Sequence, residues 1–418
     1  MSRAEELYQL DKRIDSELRK IKDDKYNSET LRKYYYVRVA EGVSKSRICK
    51  CLNTLRQVST DIGKPFEDVT KDDLIKFVAD LERKDWSDWT KRDFKIIIKK
   101  FWKSFKDWDD YGYPPEVRWI KDKKNLQSKH PILPKNLLTY DEKIALLNAT
   151  QNPRDRALLE IFFESGRRPE EVLTLHIGDI EFDSTGAKLW VHGKKGEDFV
   201  RIITSVPALT TWLNIHPRSD ETDAPLWVGF GRSNRNKQID YNASYRLIKK
   251  IAARAGIKKR VFKYLFRHTK ADEILDKLNE PQQCLVMGWQ FGSKMPRTYM
   301  KRYGRHIDKA VRTLNGVKEP EENIQQITSI ECFRCSIQNS PVSKFCYRCG
   351  AFLNVKNSVA LDQKKQKLDQ LLYGIASDSE KMEKLKNALT EICNPKTASN
   401  KKDSQKQFDL LLQKIEDV

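Results

Sequence analysis

Residues 157–180 read ALLEIFFESGRRPEEVLTLHIGDI, and the break in the middle of this stretch decides how the rest of the chain is read. A helical run of apolar residues ends at Gly166, which leaves a helix cheaply through the left-handed region. A second helix starts at Pro169, where the missing N–H costs nothing. The turn between them is expected to expose Arg167 and Arg168, with Glu171 one turn further on.

Three later segments carry reactive side chains in a fixed order. AKLWVHGKKGEDFVRIITS (187–205) has two β-rich runs around a Gly-Lys turn, a hairpin that presents Lys194 and Lys195. VFKYLFRHTKADEIL (261–275) is a helix start carrying Tyr264, Arg267 and His268. MGWQFGSKMPRTYMKRYGRHIDKAV (287–311) offers Trp289, Tyr299 and Tyr303.

Upstream, residues 1 to about 120 read as helices, with apolar and basic positions alternating near helical period. Thr70 and Asp73 have capping-box spacing, so Thr70 starts one helix. In KRDFKIIIKKFWKSFKDW (91–108), Ile96, Ile97, Phe101 and Phe105 are available for burial. Residues 121–135 are polar, basic and broken by Pro131 and Pro134, which is linker chemistry, and Thr139 with Glu142 opens the next helix.

Of the 418 residues, 79 are Lys or Arg and 59 Asp or Glu, a formal charge of +20. Such an excess favours polyanions, because each neutralised phosphate releases condensed counterions. At 39% hydrophobic and 33% charged residues the chain is globular rather than disordered, and long enough for two or three domains. No apolar run approaches the ~18–20 residues that span a bilayer, so no membrane is expected. The charged start MSRAEELYQLDKR has no secretory core, and four of eight Cys fall in two CxxC pairs, which together suggest a reducing, cytoplasmic setting.

Those pairs are Cys332, Cys335, Cys346 and Cys349, ten residues apart, a set of four thiolates suited to one structural zinc with no open position. The tail from 357 has apolar residues seven apart from Leu361 to Leu389, interrupted at Lys364, Gly374 and Asp378, a broken heptad.

Breaking a DNA strand reversibly without metal or ATP needs a nucleophile that keeps the bond energy as an ester, fixed cations on the non-bridging oxygens, and a proton for the departing 5′-oxygen. Arg suits the second task because its planar fork stays ionised. The run GRRPEEVLTL resembles the G-x-R-x-x-E-L-x-x-L signature of tyrosine recombinases, and FRHTKADEIL their R-H-T-x-A helix. MGWQFGSKMPRTY with the subsequent GRxxDxA run looks like archaeal phage and plasmid integrases of Xer-like type. The resemblance covers about residues 138–317, with weaker helical agreement over 1–120.

The resemblance implies a mainly α (α+β) fold: a helical, SAM-like core-binding domain (1–120), a linker (121–137) and a recombinase catalytic domain with a small antiparallel sheet (138–317); the cysteine pairs and the apolar spacing add a zinc ribbon (328–354) and a helical tail (357–418). It implies Arg168 and Arg267 as the phosphate clamp, Glu171 as their support, Lys194 as acid for the leaving oxygen, Trp289 as an indole donor and Tyr299 as nucleophile, forming a 3′-phosphotyrosyl link. It implies double-stranded DNA with paired sites as partner, a tetramer on DNA, and no catalytic cofactor. At the position before the second arginine where the family usually has His, this chain has Tyr264, a poor base near neutrality. Removal of the Tyr299 proton then falls to His268, to water or to the arginines. Arg38, Lys91, Lys95 and Lys99 are candidate DNA contacts. The alternatives are a catalytically impaired relative that binds DNA, and a zinc-ribbon regulator.

Overall fold

Helix starts in the computed structural model obey the short polar signals of the sequence. Thr70 and Thr139 each accept the N–H three residues on, and Asp73 and Glu142 reach back in return. The structure describes residues 2–109, 111–121, 133–193, 196–232, 234–275 and 277–303, with parts of 311–316 and 329–353. Most of the expected linker, the Lys194-Lys195 pair, Cys349 and the tail from 357 lie outside the described residues.

Met1–Thr328 forms one compact unit and Ser329–Val418 another. The first begins with α1 (Arg3–Leu7), α2 (Leu10–Lys22), α3 (Ser28–Ala40), α4 (Lys45–Ile62), α5 (Lys71–Arg83), α6 (Asp88–Phe105) and α7 (Pro115–Arg118). The apolar faces of α2 to α7 meet in one core, where Phe66, Phe101 and Trp102 pack edge to face with centroids 4.9–5.4 Å apart. On α6 the buried positions are Phe94, Ile97, Ile98, Phe101 and Trp102. Ile97 and Phe101 are buried as expected, Ile96 and Phe105 are only half-buried, and Ile98 is buried as well. Buried Asn27 ties the core's rim: it donates to Ser59 Oγ (2.8 Å) and accepts from the Phe66 N–H (2.7 Å).

The same unit continues with α8 (Tyr140–Asn148), α9 (Pro153–Ser165) and α10 (Pro169–Leu173), then β1 (Ile180–Asp183), β2 (Gly186–Gly193) and β3 (Gly196–Ile202). Next come α11 (Val206–Leu213), α12 (Tyr241–Arg254), α13 (Lys263–Ile274), α14 (Glu280–Met287) and α15 (Met295–Tyr303). The expected hairpin is the β2–β3 pair, but the sheet has three antiparallel strands in the order β1-β2-β3, with Ile180 opposite Leu189. α9 is the buried axis of this half. Phe162 and Phe163 pack on Phe266 of α13, and Glu164 accepts three successive N–H groups at Ile203, Thr204 and Ser205, fixing the end of β3. The chain's start joins here too: α1 lies against α10, Arg3 pairs with Asp179, and Tyr8 packs on Tyr241.

In the second unit, β4 (Ile330–Glu331) pairs with β5 (Gln338–Asn339). No helix among the described residues is long and apolar enough to cross a membrane.

Candidate active site

The turn after α9 sets two adjacent guanidinium groups to different tasks. Gly166 takes φ +58°, and Arg168 becomes the N-cap of α10 in extended conformation. The expectation that both arginines are exposed fails for Arg167 and holds in part for Arg168, which is half-buried. Arg167 is buried, where its Nη1 donates to Asp198 Oδ2 (2.6 Å) and its Nη2 to the carbonyls of Phe199 (2.6 Å) and Leu285 (3.3 Å). It is a tie between the turn, β3 and α14, which local sequence could not show.

Arg168 is partly open. Glu171, buried beneath it, accepts both the Arg168 backbone N–H (3.0 Å) and Nη1 (2.6 Å), so one carboxylate caps the helix and aims the guanidinium. The same Nη1 also reaches toward the Gly288 carbonyl at 3.4 Å, with Nη2 3.5 Å from it. Gly193, the last residue of β2, packs so close that a Cβ there would stand 3.1 Å from Glu171 Oε1. The hairpin thus ends against the support of Arg168, and Lys194, next in sequence, is outside the described residues.

Arg267 comes from the first turns of α13. Its Nη1 donates to the Gly166 carbonyl (2.9 Å), and its guanidinium lies 5.6 Å from the centre of the Trp289 ring. Burial, and then the positive charge of Arg168, push its pKa down to about 10, while Tyr299 and Glu171 oppose the shift. It stays protonated near neutrality, so the two cations share one site.

Trp289 stacks on Tyr299 with centroids 5.4 Å apart. Tyr299 is only 2% exposed, and its hydroxyl is 2.9 Å from His268 Nδ1. Tyr264 stands elsewhere in the cluster: its hydroxyl donates to the Glu170 carboxylate (3.1 Å), and burial, reinforced by that negative charge, raises its pKa well above the usual phenol value. Glu170 is not among the residues that the sequence singles out; adjacent acids in PEE are the signal available. The rival Tyr303 lies on α15, its side chain outside the described residues.

The structure therefore brings Arg168, Glu171, Arg267, His268, Trp289 and Tyr299 together, with Tyr264 alongside on Glu170. It does not gather the four helical candidates into this site. Arg38 pairs with Glu41 (2.8 Å) and covers the Tyr34 ring, Lys91 and Lys95 both reach Glu82, and Lys99 donates to the Ile120 carbonyl (3.2 Å). A phosphate arriving there has to displace or share these partners.

In the second unit the sulfurs of Cys332, Cys335 and Cys346 lie within 4.8 Å of one another, with Cys335 and Cys346 3.6 Å apart. Two thiolates on one tetrahedral zinc, each at ~2.3 Å, stand about 3.8 Å apart, so these donors fit the ion.

Residues 136–301 match the phage integrase family. The tyrosine recombinase XerA of Pyrococcus horikoshii is 26% identical over 261 residues, 62% of this chain and 84% of that one. Among solved structures, a lambda integrase dimer bound to a COC′ core site superimposes with TM-score 0.51 at 13% identity, over 66% of this chain and 77% of that one. XerH site-specific recombinase bound to palindromic difH substrate does so with TM-score 0.50 at 15% identity, over 74% and 96%. At these identities the structural likeness speaks for the fold, which is mostly helical with small antiparallel sheets as the sequence implied. The matched span, residues 136–301, encloses both arginine motifs and Tyr299, so this region of the chain carries a phage integrase family domain and is similar to tyrosine recombinases.

Proposed function

We propose that this protein is a site-specific DNA recombinase that cuts and rejoins strands through Tyr299. The observation that carries the reading is the sharing of one site by two charged guanidinium groups, Arg168 and Arg267, with a buried tyrosine hydroxyl behind Trp289. The arginines hold the non-bridging oxygens of the scissile phosphate, and they stabilise the charge that gathers there as Tyr299 Oη attacks phosphorus. The strand's 3′ phosphate becomes esterified to Tyr299 and a 5′-hydroxyl departs, taking its proton from Lys194. Attack by a partner strand's 5′-hydroxyl reverses the step. Neither metal nor ATP enters, since the ester keeps the bond energy.

The domain limits stated from sequence belong to this reading: helices 1–120 clamp DNA from the face opposite the catalytic region 138–317, with Arg38, Lys91, Lys95 and Lys99 among the phosphate contacts. Exchange between two duplexes calls for four subunits, and lambda integrase has been solved as a tetramer on a Holliday junction. The four cysteines Cys332, Cys335, Cys346 and Cys349 hold a structural zinc.

Incubation with a pool of nicked duplexes tests the proposal. The wild-type chain becomes covalently attached to DNA through a peptide containing Tyr299, and Tyr299→Phe does not. A wild-type chain that binds the pool and never forms the adduct is instead a DNA-binding relative without turnover.

A further inference from the structure

We propose that His268 is the catalytic group that takes the proton from Tyr299. This rests on the reading of Tyr299 as the nucleophile. The first support is geometric: His268 Nδ1 stands 2.9 Å from the Tyr299 hydroxyl, within the range at which a proton moves between heavy atoms. The two rings are held by rigid elements, His268 by α13 and Tyr299 by α15, with Trp289 stacked on the tyrosine ring.

The second support is the chemistry of the neighbours. Arg168, Arg267 and Trp289 bring donors and no acceptor. Tyr264 occupies the place where the family usually has His, but its hydroxyl is given to Glu170, and a phenol accepts protons weakly. Successive helix residues point about 100° apart, so Arg267 can face the Gly166 carbonyl and the phosphate while His268, next in sequence, faces the nucleophile.

The proton balance closes. With its own proton on Nε2, His268 accepts the Tyr299 proton at Nδ1 as the Oη–P bond forms and the P–O5′ bond breaks. The 5′-oxygen is protonated by the Lys194 ammonium. On rejoining, a 5′-hydroxyl gives its proton to Lys194 and attacks phosphorus, the Oη–P bond breaks, and the imidazolium returns its proton to Tyr299.

The test uses the full chain and a randomised pool of nicked duplexes, reading the single-turnover rate of covalent adduct formation. His268→Asn keeps an acceptor oxygen near the Nδ1 position but cannot carry a proton. It is expected to fold with the wild-type melting midpoint and to lose about 100-fold or more in rate. Tyr264→Phe is expected to lose less. Replacing Tyr299 by a fluorotyrosine, whose hydroxyl ionises at lower pH, is expected to restore rate to His268→Asn by a larger factor than it changes the wild-type rate. A wild-type rate in His268→Asn, a larger loss in Tyr264→Phe, or a loss that fluorotyrosine leaves untouched each overturns the assignment. An adduct that persists in Tyr299→Phe, or a wild-type chain that gives none, overturns the reading of Tyr299 itself and the assignment with it.

Discussion

Gly288 and Arg167 share one volume: a Cβ on Gly288 would stand 2.1 Å from Arg167 Nη1, and Gly288 itself sits at φ +60°. Alanine at 288 therefore meets two penalties, a strained backbone and a displaced buried guanidinium. Gly288→Ala is expected to cost roughly 2–4 kcal/mol of stability, read from the denaturant midpoint. An unchanged midpoint contradicts the packing described.

The adjacent arginines separate by phenotype. Arg167→Lys cannot reach Asp198, Phe199 and Leu285 together, so it should lower the melting midpoint. Arg168→Lys keeps a charge above Glu171 but loses the planar fork. It should melt as the wild type does and form DNA adduct about 10–100 times more slowly. Equal effects of both substitutions on melting sink the distinction.

Lys263 predicts a pH dependence of stability. It is 3% exposed, with Nζ donating to the Tyr241 carbonyl (2.6 Å) and Ser244 Oγ (2.9 Å), and burial lowers its pKa from 10.5 to about 7 against the opposing charges of Asp240 and Glu170. Between pH 7 and 10.5 the unfolded chain holds this proton more fully than the folded one, so unfolding free energy from this group rises with pH. The slope is at most about 1.4 kcal/mol per pH unit. Denaturant titrations from about pH 7 to about pH 9 should show a steeper rise for the wild type than for Lys263→Met. Parallel lines refute the assignment.

Metal analysis of the purified full chain should find about one zinc, reduced in Cys332→Ser and in Cys346→Ser. Chelation should unfold the unit Ser329–Val418 and leave the unfolding midpoint of Met1–Thr328 in place, because the two are separate compact units. A chain expressed with ample zinc that carries none refutes the site.

The parts of this structure that are legible in sequence are those decided within a few residues. Thr70 and Thr139 announce helix starts because a cap and its partner are three positions apart. The GRRP turn is legible because Gly166 and Pro169 have strong backbone preferences of opposite kind. β1 is not legible because IEFD is too short for a period to show, and its pairing with β2 is a property of the folded chain. The burial of Arg167 and the bonds from Tyr264 to Glu170 and from Tyr299 to His268 are equally hidden, each joining elements about 30 or more residues apart. On α6 the burial expected at Ile96 falls instead at Ile98, since both are apolar and packing alone chooses between them.

With Tyr299 as the proposed nucleophile, its seclusion under the indole of Trp289 bears on the fate of a cut strand. An ester formed at that oxygen inherits the same dry enclosure, so hydrolysis competes poorly with a 5′-hydroxyl delivered by a paired strand. On that reading, the fit of one indole over one phenol contributes to the lifetime of the covalent link, and with it to the chance that a cut ends in a join instead of a permanent nick.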